Sequence, residues 1–137
     1  MYLVEINQNR PDFRVFIDLL YGARRDVDTD GDANPVYSRT WTHLYLADRE
    51  SDDPPVDISE LEGRPGVYVV ESESERLMQL CALYLFMKCG SSLVQNSHAL
   101  TVDEISALKA RYSLELSRAD AALWHASSAD LPYPNSR

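Results

Sequence analysis

The stretch Leu77 to Met87, LMQLCALYLFM, limits what this chain can become more than any other feature. Its one polar residue is Gln79. At helical spacing Leu77, Leu80, Cys81, Tyr84 and Met87 share one stripe, while Met78, Leu83, Leu85 and Phe86 fill most of the remaining circumference. A helix that is apolar nearly all round has to be covered on several sides. It is expected either as the central helix of the domain or as the seam of a homodimer through residues 73–89. The run is too short to cross a bilayer. Ser72 and Glu75 match a capping box at its start, and Gly90 can stop it.

Material to cover such a helix is present on both sides of it. Tyr2 to Asn7 alternates as a strand, with Tyr2, Val4 and Ile6 on one face. Phe13, Phe16, Ile17 and Leu20 then recur at helical spacing, so a helix is predicted from about Asp12 to Tyr21, ending at Gly22. Val36 to Ala47 reads as one long strand and Val67 to Val70 as a short one. Val56 to Leu61 fits either a strand or a turn of helix. After the connection 90–100, Thr101 and Glu104 form a second capping box. Val102, Ile105, Leu108, Tyr112, Leu116, Ala119, Leu123 and Ala126 then step by three or four, which predicts one long amphipathic helix antiparallel to the first. Arg111 and Glu115 would pair on its wet side. The expected fold is a single α+β domain over residues 1–128: a small, mainly antiparallel sheet of three or four strands, an N-terminal helix and a C-terminal antiparallel helix pair. A loose tail is expected over 129–137.

With 137 residues the chain can bury enough surface to fold without a disulfide or a metal. Cys81 and Cys89 lie eight residues apart on the apolar helix, about 12 Å along its axis and beyond disulfide reach. Two unpaired thiols suit a reducing compartment, and the N-terminus has no basic leader, so a cytoplasmic location is expected.

The net charge is −9, and its placement says more than its total. Between Asp26 and Glu75 stand fourteen acids and three arginines, a net of −11; the remaining residues carry +2. Such a segment repels nucleic acid and anionic membranes and complements a basic protein. Within it, Asp26-x-Asp28-x-Asp30-Gly31 matches the opening of an EF-hand calcium loop, but Tyr37 stands where the loop needs a bidentate glutamate. The reading preferred is an acidic, solvated loop, with a divalent-cation module as the alternative.

If 36–47 is one strand, period two puts Tyr37, Arg39, Trp41, His43 and Tyr45 on one face. These residue types are enriched in interface hot spots, although the same face could instead pack into the core. Catalytic motifs are missing: His43, His98 and His125 have no nucleophile elbow beside them, and HExxH and GxGxxG do not occur. No cofactor and no metal are expected, and an enzyme of unidentified type is the remaining alternative.

The function expected is that of a non-enzymatic acidic protein that occludes a basic partner. In composition, though not through any motif, the chain is similar to bacterial immunity proteins and other toxin or nuclease inhibitors. Asp26, Asp28, Asp30, Asp32, Glu50, Asp52 and Asp53 would supply the field. Tyr37, Arg39, Trp41, His43 and Tyr45 would supply the contact.

Overall fold

In the computed structural model, which describes residues 1–134, the first strand lies inside the sheet, bonded on both sides. β1 (Tyr2–Ile6) buries Tyr2, Val4 and Ile6 and lies between β5 (Val67–Ser72) and β6 (Gly90–Gln95). Around it run β2 (Val27–Gly31), β3 (His43–Asp48), β4 (Val56–Glu60) and β7 (His98–Ala99), in the order β2-β3-β4-β5-β1-β6-β7. Every neighbouring pair is antiparallel.

The helices pack on one face of this sheet. α2 (Glu75–Cys89) lies across β1, β5 and β6, flanked by α1 (Val15–Leu20) and α3 (Val102–Arg111). α4 (Ser113–Asp120) rests chiefly on α1. One apolar cluster joins Tyr2, Val4, Leu46 and Ile58 of the sheet to Phe16, Leu80, Leu83 and Leu116 of the helices. Each fully buried side chain of that size contributes about 1.5–3 kcal/mol. The single polar residue of the apolar run is satisfied inside this layer. Gln79 Nε2 donates to the Tyr2 hydroxyl at 2.9 Å, and the Tyr112 hydroxyl donates to Gln79 Oε1. The chain's own sheet and helices thus cover α2 without a second subunit.

The sheet has seven strands, not three or four. Three strands had no clear sequence signal. β2 is hidden in the acidic segment read as a loop, and β6 and β7 occupy the connection 90–100. Gly90 does not end α2 in a left-handed cap; its backbone is extended and continues directly into β6. The strand predicted over 36–47 begins only at His43. Before it, Asp32 accepts hydrogen bonds from the Thr42 and His43 amides at 2.8 and 3.0 Å, which diverts those donors from a ladder.

The α2 cap is Ser74, whose hydroxyl accepts from the Leu77 amide, so the Ser72–Glu75 box does not form; the Thr101–Glu104 box does. The seven-turn helix is broken at Tyr112, which lets Leu108 face α2 while Leu116 and Ala119 face α1. Beyond Asp120 the chain makes a 3-10 turn at Leu123–Ala126. Glu115 pairs with Arg76 at 3.0 Å, not with Arg111.

A buried ion pair ties the end of the chain to α1. Arg14 and Asp12 meet at 2.7 Å with side chains 7% and 0% exposed. The guanidinium also donates to the Pro132 carbonyl and lies 4.1 Å from the Trp124 ring centre and 5.2 Å from that of Tyr133. The expected loose segment 129–137 is thereby held as far as Pro134; residues 135–137 lie outside the described residues.

Trp41 is 1% exposed, with edge-on contacts to Phe16 and Tyr68 and its indole N–H donating to the Pro11 carbonyl at 2.9 Å. Trp41→Ala should therefore lower stability by about 3–5 kcal/mol in denaturant unfolding of the free protein. Cys81 and Cys89 are both free and buried, and burial pushes the Cys81 thiol far up and that of Cys89 up to about 11. Labelling of both by a thiol reagent at neutral pH should be slow in the native state and fast in denaturant.

Candidate functional site: the open face of the sheet

Because the helices all lie on one side, alternate residues of each strand face away from them. Register places these residues in rows. Asp30 lies opposite Tyr45, Tyr45 opposite Asp57, and Asp57 opposite Glu71, one row across β2, β3, β4 and β5. The adjacent row runs His43, Ser59, Val69, Leu3, Val94 and Ala99 across the rest of the sheet. The first row is acidic around one aromatic ring; the second is apolar for most of its length. None of the seven strands contains a lysine or an arginine.

A groove of about 400 Å³ lies over the acidic row, lined by Tyr45, Pro55, Asp57, Glu71 and Glu73 among others. Among the described residues Asp30, Glu71 and Glu73 have no cationic partner within 4 Å. Asp57 Oδ1 accepts a hydrogen bond from His43 Nε2 at 2.9 Å.

The residues singled out from sequence divide into three groups. Asp30, His43 and Tyr45 are on the open face. Asp28 shares that side but, with Asp26, is bridged by Arg49 at 3.2 and 3.0 Å. Glu50 accepts from the Asp26 amide at 2.8 Å, and Asp52 and Asp53 are exposed in the β3–β4 connection. The second group is structural. Asp32 organises the entry to β3; burial acts to raise its pKa, but hydrogen bonds from the Thr42 hydroxyl and the His43 and Thr42 amides outweigh this and hold it below the ordinary value. Arg39 is tied to Ser127 at 3.0 Å, and Tyr37 is half-buried in the loop before β3. Trp41, the third case, is in the core and is no surface anchor. It leaves the face of His43 and Tyr45 because residues 36–42 are not strand.

Sequence reasoning missed Asp57, Glu71, Leu3, Val69 and Val94. The signal for Asp57 was the alternation VDISE, legible once 56–60 is taken as strand. For Leu3 the signal was the alternation from Tyr2 to Asn7, which sets it on the face opposite Tyr2, Val4 and Ile6; for Val94 it was absent, since residues 90–100 read as a connection.

Asp28 and Asp30 of the EF-hand-like segment sit on the extended β2, with Asp26 just before it, and alternate side chains of a strand are nearly 7 Å apart. Among the described residues no three His, Cys, Asp or Glu side chains group to hold a metal. His43 stands across from Ser59 and beside Asp57, but no hydrogen bond joins Ser59 to His43 among the described residues. The arrangement offers a broad anionic and apolar surface for contact. No family model, no curated protein and no solved structure matches the chain. No helix among the described residues is long and apolar enough to cross a membrane.

Asp48 is, after Asp32, a second structural acid of the −11 segment, and it sets an acid limit on the fold. Asp48 is held at about 2 by the Arg25 guanidinium, which binds it in a fork at 3.0 and 2.9 Å, and by the Ser51 hydroxyl and Glu50 amide, against the opposing effect of burial. A carboxyl whose folded pKa is depressed stabilises the fold above its unfolded value and ceases to do so as pH falls through the folded one. Asp48→Asn should therefore cost on the order of 1–3 kcal/mol at pH 7. In pH-dependent unfolding, the difference from the unsubstituted protein should shrink between about pH 4 and pH 2.

Proposed function

We propose that this chain is a non-enzymatic binding protein whose open sheet face docks a basic protein and occludes that partner's cationic surface, in the manner of an immunity protein or a toxin or nuclease inhibitor. The observation that carries the reading is the row Asp30, Tyr45, Asp57 and Glu71 beside the half-buried apolar residues Leu3 and Val94, which flank the buried Val69, on strands free of lysine and arginine. The two rows have separate work. Carboxylates without counter-cations project a field that speeds encounter with a positive surface and is screened within about 8–10 Å at physiological salt. The apolar row excludes water after docking and slows dissociation, with Tyr45 available to a guanidinium or ammonium group. A nuclease's substrate groove is positive, so a surface of this kind competes for the same groups as the nucleic acid.

Binding kinetics with the basic product of a gene adjoining this one test the reading. Asp57→Lys combined with Glu71→Lys should slow association on the order of tenfold at low salt and flatten its salt dependence. Leu3→Ser should leave association nearly unchanged and speed dissociation. Wild-type association by the charge-reversed protein at low salt would remove the basis of this reading.

A further inference from the structure

β2 is a free edge of the sheet. The bonds from Arg49 N–H to the Asp26 carbonyl and from Asp32 N–H to the His43 carbonyl set the parity of the β2–β3 ladder. Bonded pairs alternate in an antiparallel ladder, so the even residues 26 to 32 bond toward β3. Val27, Thr29 and Gly31 then direct their backbone groups outward. The Gly31 amide is taken by the Asp30 carboxylate at 2.8 Å. Among the described residues, nothing outside β3 bonds the backbone of Val27 or Thr29. At the opposite edge, β7 is only two residues long.

A strand added beside β2 would meet different surroundings on its two faces. On the open face its side chains would stand next to Asp30, which has no cationic partner among the described residues, and Asp28, whose exposed carboxylate Arg49 meets at 3.2 Å. Beside Thr29 lies a cleft of about 180 Å³ whose lining mixes Phe13, Ala33 and Leu44 with Asp30 and His43, room for one side chain. A second copy of β2 is a poor occupant, because it would bring its own aspartates against these.

We infer that β2 accepts an extended segment of the basic partner by strand addition, with lysine or arginine beside Asp28 and Asp30 and apolar residues alternating between them. This inference rests on the reading of the open face as the surface for a basic partner. It adds that main-chain hydrogen bonds to Val27 and Thr29 fix the partner's register, which a charged surface alone cannot do.

The test uses a capped peptide of alternating lysine and valine, with affinity read by fluorescence anisotropy. Two isomers are made, one N-methylated on the lysines and the other on the valines, so that charge and composition are equal. In an added strand only one set of amides faces β2. One isomer should therefore bind on the order of tenfold more weakly than the other, which should stay near the parent peptide. Thr29→Pro removes an outward donor without removing a ladder bond to β3 and should weaken the parent peptide similarly. If that variant fails to fold, the isomer pair on the unsubstituted protein still decides. Equal affinity of the two isomers overturns strand addition, as does failure of the parent to bind at millimolar concentration. If equal binding is still lost in Asp57→Lys with Glu71→Lys, the open-face reading survives and only the edge assignment fails.

Discussion

Ten of the fifteen residues of α2 are buried, and a helix covered to that degree needs a sheet beneath it and helices along both flanks. The rest of the chain is arranged to meet this demand. β1, β5 and β6 make the floor, while α1 and α3 make the sides. Gly90 allows the closest part of the arrangement. A Cβ there would stand 2.8 Å from both Phe86 Cα and Val4 Cγ1, so any larger residue would push the end of α2 away from β1. Because α2 passes straight into β6, the helix and the strand that pairs with β1 are positioned by a single residue. The Gln79 amide, bonded to hydroxyls from β1 and from the residue between α3 and α4, connects the same layers through polar atoms.

The parts of the fold legible in the sequence were those where periodicity and local chemistry agree. β1, β5, α2 and the Thr101 cap each combine a clean pattern with a boundary signal. β2 was hidden because VDTDG has the composition of a loop, and its pairing depends on β3, which supplies no local cue. β6, GSSLVQ, carries two serines and a glycine, and becomes a strand through β1 alongside it. The long aromatic segment misled in the opposite direction. Its strand propensity is genuine, but the Asp32 carboxylate takes the amides at its midpoint. The acid-rich region was legible as charge but not as a surface, because a row such as Tyr45, Asp57 and Glu71 is assembled from three strands whose register no single segment encodes.

Covering the sheet on one side only has a functional meaning. The helix layer consumes most of the large apolar side chains, Trp41 among them, and leaves the other face to smaller aliphatic groups and carboxylates. The acids with structural partners, Asp32 and Asp48, shape the loops around β3, whereas those on the open rows carry no such duty. Part of the charge that the fold does not need thus stands on the face that no helix covers.

The interior place of β1 gives the molecule a direction under mechanical load. A pull on the first residue draws on a strand bonded along both sides, to β5 and β6, so resistance arises at once from the middle of the sheet. A pull applied at Pro134 meets first the Arg14 guanidinium beside Trp124 and Tyr133, then a short 3-10 turn and α4, which can peel away one after another. Dragged by its tail through a narrow pore, the chain yields stepwise; dragged by its head, it gives way only when the sheet itself parts.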